Sequence, residues 1–111
     1  MQITATIGPV TVLAVTGDID AETFPQLTGE VDTRLKAGQV RLVLDLSGVT
    51  YVSSAGLVAL QTITGRAAAY GGKAVLCGIN PHVRKVFEMT GFHQILSIFP
   101  DRAAAAASFT H

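Results

Sequence analysis

The sequence contains no tryptophan, and aromatic residues make up only 6% of it. Its core must therefore be filled by Val, Leu, Ile and Ala rather than by large rings. There is one cysteine, Cys77. That excludes a disulfide framework and a cysteine-based zinc site, and in its apolar surroundings Cys77 reads as a small core residue. Charged residues make up 14%, against a usual share of roughly 25%. Lys plus Arg and Asp plus Glu both number 8, so the formal net charge is zero. Without a basic surplus a general nucleic-acid binder is excluded, because phosphate contacts need Lys and Arg. No apolar run approaches ~18 residues, so no membrane span is expected. Met1–Val15 lacks the basic start of a secretory leader, so the expected location is the cytoplasm. His82, His93 and His111 are scattered, none at i, i+4 spacing with a second ligand, so neither a metal nor another cofactor is expected. Gly71-Gly72 lacks the pattern of a phosphate-cradling loop.

What is present is 111 residues, 49% of them apolar. That bounds the chain to one domain, residues 1–111, burying roughly two thirds of its unfolded surface, and is too apolar for disorder. Residues 2–7 alternate polar and apolar as a half-buried strand does, Gly8-Pro9 is turn chemistry, and the β-branched run 10–16 continues as a second strand. Thr23 and Gln26 have capping-box spacing, with Pro25 in the first turn. The stripe Phe24, Leu27, Val31, Leu35 then predicts a helix ended by Gly38. Residues 40–46 form a third strand apolar enough to be central. A second helix starts at Ser53-Ser54-Ala55-Gly56, lines its inner side with Leu57, Leu60, Thr64 and Ala67, and ends at Gly71-Gly72. Residues 73–79 form a fourth strand. Asn80-Pro81 is an N-cap followed by an N1 proline, opening a third helix over 81–90 that Gly91 closes. Residues 94–98 predict a short fifth strand, and Asp101 opens a final alanine-rich helix that frays near Phe109.

The order β-β-α-β-α-β-α-β-α predicts an α/β fold with a mixed, mainly parallel sheet covered by helices. It brings the loops 17–23, 48–55 and 78–80 to one sheet edge, where open α/β sheets bind their ligands. No catalytic constellation lies there. Asp18 and Asp20, two apart, suit turn and cap roles or a cation. Ser53 and Ser54 stand where a strand-to-helix loop meets a helix N-terminus. A serine there is a favoured cap, contributing ~1 kcal/mol. It is equally a place where free N–H donors and the positive dipole end accept a phosphoryl group.

Gly17-Asp18-Ile19-Asp20 is similar to the Gly-Glu-Leu-Asp loop of STAS domains, and V-L-D-L-S-G-V-T-Y-V-S-S-A-G-L is similar to their strand-loop-helix signature. With a weaker echo at Gly91, the whole chain resembles a stand-alone anti-sigma factor antagonist of that family. The resemblance implies partner switching by a protein that is not itself an enzyme. The unphosphorylated antagonist binds an anti-sigma factor, usually a serine kinase, and is released when a serine at the start of the second helix is phosphorylated. A metal-dependent serine phosphatase reverses this. The family pattern Asp-Ser-Ser-Gly-Leu reads Ser53-Ser54-Ala55-Gly56-Leu57 here, so Ala55 stands at the usual acceptor position. Ser54, nearest to it, is the first phosphoacceptor candidate, and Ser53 the second. The expected contact surface comprises Asp18, Asp20, Ser53, Ser54, Gly56 and Asn80, with Val58 and Thr62 projecting from the second helix. A monomer or weak dimer is expected. Two alternatives stand beside this reading: a STAS interaction module without phosphoregulation, motivated by Ala55, and a receiver-like domain phosphorylated on Asp45.

Overall fold

The computed structural model describes residues 1–109; His111 lies outside the described residues. The elements run β1 (Gln2–Thr6), β2 (Thr11–Thr16), α1 (Phe24–Lys36), β3 (Arg41–Gly48), α2 (Ser54–Ala69), β4 (Lys73–Cys77), α3 (Pro81–Thr90), a 3₁₀ turn (Phe92–Gln94), β5 (Ile98–Phe99) and α4 (Arg102–Ala107). The five strands lie in sequence order; β1 pairs antiparallel with β2, and β2 to β5 are parallel. The mixed, mainly parallel sheet expected from the element order is the one observed.

Strand alternation divides the core in two. Leu13, Val15, Leu42, Leu44, Leu46 and Leu76 point to one face, where Leu27, Val31 and Leu35 of α1, Leu57, Leu60 and Ile63 of α2, and Phe87 of α3 cover them. Val43, Val75 and Cys77 point to the other, against Ala105 of α4. Burial of Cys77, with a smaller push from the Asp45 carboxylate, raises its thiol to about 11, so it is an inert packing residue.

Three local expectations are corrected. The Thr23–Gln26 capping box does not form: Thr23 makes no side-chain cap bond to α1. Its Oγ1 donates to Asp18 O at 2.8 Å and accepts from Asp20 N at 3.0 Å instead. The inner side of α2 carries Ile63 in place of Thr64, which is half-buried. The fifth strand is Ile98–Phe99, and Phe92–Gln94 coil into a 3₁₀ turn. The Asn80 cap is as expected, its Oδ1 accepting from Val83 N at 2.7 Å, and Gly91 ends α3 in the left-handed region at φ 80°.

One buried carboxylate holds α4 to the sheet. Asp45, 7% exposed, accepts from Arg102 Nε at 2.5 Å and from the Ser47 amide at 3.0 Å. Burial pushes its carboxyl up, but the Arg102 and Ser47 bonds outweigh that and hold it below the ordinary value of 3.8. A carboxyl lowered by folding stabilises the fold above 3.8, and that contribution is lost as the pH falls through the folded value. Arg102→Gln is therefore expected to cost about 1–2 kcal/mol near neutral pH, since it strips a buried acceptor of its charged donor. The gap to the parent should close as the pH drops below 3.8. Urea unfolding of both proteins at pH 7 and pH 3 checks this; a gap that does not change with pH refutes it.

Candidate functional site

Two of the predicted edge loops are joined through Ile19 and its neighbours, with the Gly17 amide donating to Gly48 O at 3.1 Å where the loops begin. Ile19, fully buried, forms a parallel bridge with Val52. Its N–H donates to Tyr51 O at 3.0 Å, and its carbonyl accepts from Ser53 N at 2.9 Å. Thr50 Oγ1 adds a further tie across the same gap by donating to Asp18 Oδ1 at 2.7 Å. The loop after β2 and the loop after β3 thus form one surface, and α2 starts from it. The third loop joins through Asn80, whose Nδ2 donates to Val49 O at 3.1 Å.

The start of α2 assigns a different job to each of its residues. Ser53 is the N-cap: extended at ψ 173°, its Oγ accepts from Gly56 N at 3.1 Å. Ser54 is the first helical residue, exposed, and its hydroxyl has no hydrogen-bond partner among the described residues. Ala55 is half-buried. Gly56 is buried, and a Cβ built there would lie 2.4 Å from Ile19 O and 2.9 Å from Val52 Cγ1. Gly56 is thus where the helix touches the loop bridge, and it lies beneath the surface rather than on it. The N–H groups of Ser54 and Ala55 are left without acceptors among the described residues, as the first amides of a helix are.

Ser53, Ser54 and Ala55 share an open groove with Asp20, Glu22 and Tyr51, and no basic residue lines it. Asp20 has a structural task besides: its Oδ1 accepts from the Thr23 and Glu22 amides, each at 3.0 Å. Those bonds, the Thr23 amide first, hold its carboxyl below the usual value. A second groove runs between α1 and α2 past Phe24, Thr28, Ala55, Val58, Thr62 and Arg66. Val58 is 56% exposed there. Arg66 braces the two helices by bonding Asp32 Oδ2 at 2.6 Å.

Of the predicted surface residues, the fold brings Asp20, Ser53 and Ser54 into the first groove and Val58 and Thr62 into the second, with Ala55 in both. Asp18 is exposed beside them, its carboxylate tied to Thr50. Asn80 lines neither groove, its amide being spent on Val83 and Val49. Sequence reasoning missed Tyr51, 47% exposed, whose signal was the one aromatic residue in the loop 48–55. It also missed Phe24, Thr28 and Arg66, which only the packing of α1 against α2 brings to the surface beside Val58. His93 stands apart from all of these, its Nδ1 3.2 Å from Phe87 O. Asp45 lies under α4, paired with Arg102.

The STAS domain family model matches residues 2–105. A Bordetella bronchiseptica protein provisionally named anti-sigma factor antagonist BtrV is 39% identical over 93 residues, covering 84% of this chain and 80% of that one. Among solved structures, one provisionally described as an anti-sigma factor antagonist from Thermotoga maritima superposes with a TM-score of 0.90 at 22% identity, covering 98% of this chain and 95% of that one. The Bacillus cell fate determinant SpoIIAA in its phosphorylated form superposes with a TM-score of 0.71 at 17% identity, covering 99% and 100%. At those identities the two structures establish the fold. Among the described residues, no helix is long and apolar enough to cross a membrane.

Two glycines of the same helix provide an internal contrast. A methyl on Gly56 must push against backbone, so Gly56→Ala is expected to destabilise the fold by about 1–3 kcal/mol. A methyl on Gly65 meets nothing within 4 Å, so Gly65→Ala should stabilise by about 0.5–1 kcal/mol through helix propensity alone. Denaturant midpoints of the two variants check this; equal shifts in the same direction refute the assigned contact.

Proposed function

The chain belongs to the STAS domain family, and we propose that it acts as an anti-sigma factor antagonist whose binding is switched by phosphorylation of Ser54. In this role it is a ligand for an anti-sigma factor and a substrate for that partner's serine kinase activity, not an enzyme. A serine phosphatase resets it. The family relationship and the name of the 39% identical relative support the antagonist role. The observation that carries the choice of Ser54 is its hydroxyl, exposed and unbonded on the first turn of α2.

Ser53 is a poorer acceptor. Its Oγ already accepts the Gly56 amide, and modifying it costs the helix its cap. Ser54 gives up no hydrogen bond on modification. A phosphoryl group there adds about −1.5 to −2 charge beside the free amides of Ser54 and Ala55, which favour an anion at a helix N-terminus. The fold tolerates the mark while the surface beside Asp20 and Glu22 becomes more negative. A partner that docks over this groove and the Val58 ridge would meet that charge directly. Ala55 favours a second reading, a STAS interaction module without phosphoregulation, because its methyl occupies the position where the family usually carries the acceptor.

Incubation with the cognate kinase and ATP, followed by mass spectrometry of the peptide spanning α2, separates the two. We expect one phosphate, on Ser54. It should persist in Ser53→Ala, which should lose ~1 kcal/mol of stability with the cap, and vanish in Ser54→Ala. Ser54→Asp should weaken partner binding roughly tenfold, the effect of ~1.4 kcal/mol. Phosphate on neither serine, with the partner still bound, would establish the second reading.

A further inference from the structure

The two edges of the sheet differ. On one side β5 has two residues, Ile98 and Phe99. Extreme shortness of this kind keeps an edge from pairing with another chain. On the other side β1 offers five residues, Gln2–Thr6, in unbroken register with β2 from Gln2↔Thr16 to Thr6↔Val12. No strand lies beyond it among the described residues. The usual guards of a free edge are absent. The sequence carries no charged residue from Met1 to Gly17, β1 holds no proline, and its pairing with β2 has no bulge. The side chains on both faces of the strand are uncharged, and all but Gln2 are small or β-branched. Gln2, Thr4 and Thr6 are exposed on the face of the sheet that α4 covers elsewhere, while Ile3 and Ala5 lie on the face of α1, α2 and α3, where Ile3 packs against the core.

We propose that the free edge of β1 is a self-association surface, and that two copies pair β1 with β1 antiparallel about a two-fold axis through Thr4. This inference stands apart from the proposed function and does not rest on it. The sequence of the strand favours a second copy over a foreign peptide because it is its own complement. Centred on Thr4, the pairing sets Thr4 against Thr4 and Gln2 against Thr6 on one face, and Ile3 against Ala5 on the other. No charge opposes a like charge, every facing pair lies on a common face, and each Ile3 gains an apolar neighbour. A two-fold pairing uses both free edges at once and so closes at the dimer. Five residues a side make a small interface, of the weak and transient class. Ser54 and the α1–α2 groove do not involve β1, so both copies keep that surface open.

The test reads apparent mass by sedimentation equilibrium from about 10 μM to about 1 mM, the range of weak association. The parent should climb from the monomer toward twice the monomer mass. Directly opposed side chains in an antiparallel pair stand ~5 Å apart, so Thr4→Lys alone and Thr4→Glu alone should each stay monomeric over the same range. Mixed one to one at low salt they should recover the dimer, and high salt should dissolve it. Thr4 is exposed, and circular dichroism should show both variants folded as the parent is; misfolding of one would pass its test to the other, mixed with the parent. A parent that stays monomeric at 1 mM overturns the proposal. So does a Thr4→Lys variant that still dimerises, and variants that fail to recover on mixing overturn the two-fold register through Thr4.

Discussion

The carbonyl of Ile19 has no room around it, and the end of the molecule where α2 starts is arranged around that fact. It accepts the Ser53 amide at 2.9 Å, and the absent Cβ of Gly56 would come within 2.4 Å of it. One oxygen thereby sets where the loop after β2 meets the loop after β3 and how closely α2 approaches both. Ile19 can serve this way because it is held from three directions: its side chain is fully buried in the core, its N–H is taken by Tyr51 O, and its bridge to Val52 extends the parallel β2–β3 pairing past the strand ends. An ordinary helix start on a mobile loop would wander. Here the first turn of α2 is pinned from below, and its capping serine is fixed by the same bond that fixes the loop.

That pinning divides the residues of the first turn by role. Gly56 faces down and must lack a side chain. Ser53 faces along the helix and is occupied as the cap. Ser54 faces outward with nothing to bond. The same rigidity bears on how a chemical mark at this place would be read. A phosphoryl group on a loose loop can act by ordering or melting it, whereas one on a braced helix start leaves the backbone where it was and changes only the local charge.

The fold was largely legible because its signals are local and periodic: alternation in the strands, the stripe of α1, the Asn80-Pro81 start and Gly91 stop of α3. The misses share a cause, which is competition from contacts that the spacing along a single element does not show, some near in sequence and some distant. Thr23 has the spacing of a capping residue, but Asp18 and Asp20 reach its hydroxyl first. Asp45, near the end of the predicted third strand, suited a phospho-aspartate, yet Arg102, 57 residues away, pairs with it and secures α4. On α2, helical spacing alone could not choose Ile63 over Thr64 for the inner side; the position of the β-sheet chose it. At the site, Ser53 and Ser54 were legible as a pair but not as cap and free hydroxyl, because that distinction depends on ψ at Ser53. Gly56 appeared as a surface residue because nothing in the sequence announces that Ile19 lies beneath it.

The electrostatics of this edge combine two opposing fields. The unpaired amides at the start of α2 favour an anion within the first turn, an effect of about 0.3–1 kcal/mol at an exposed position. The carboxylates of Asp20 and Glu22, in the same groove and with no basic residue lining it, disfavour one. An added phosphoryl charge would therefore be tolerated rather than tightly bound: no Arg or Lys stands in the groove to fold it back against the protein and mask it. It would remain presented to whatever docks. The Asp20 carboxyl, held ionised by the Thr23 and Glu22 amides, keeps the groove acidic well below neutral pH, so contrast between marked and unmarked states comes from the number of negative charges rather than a change of sign. A partner surface complementary to two carboxylates and an apolar ridge at Val58 need not be complementary to a further doubly charged group beside them. In a chain of net charge zero, with 14% charged residues in all, few other charges compete to dilute that difference.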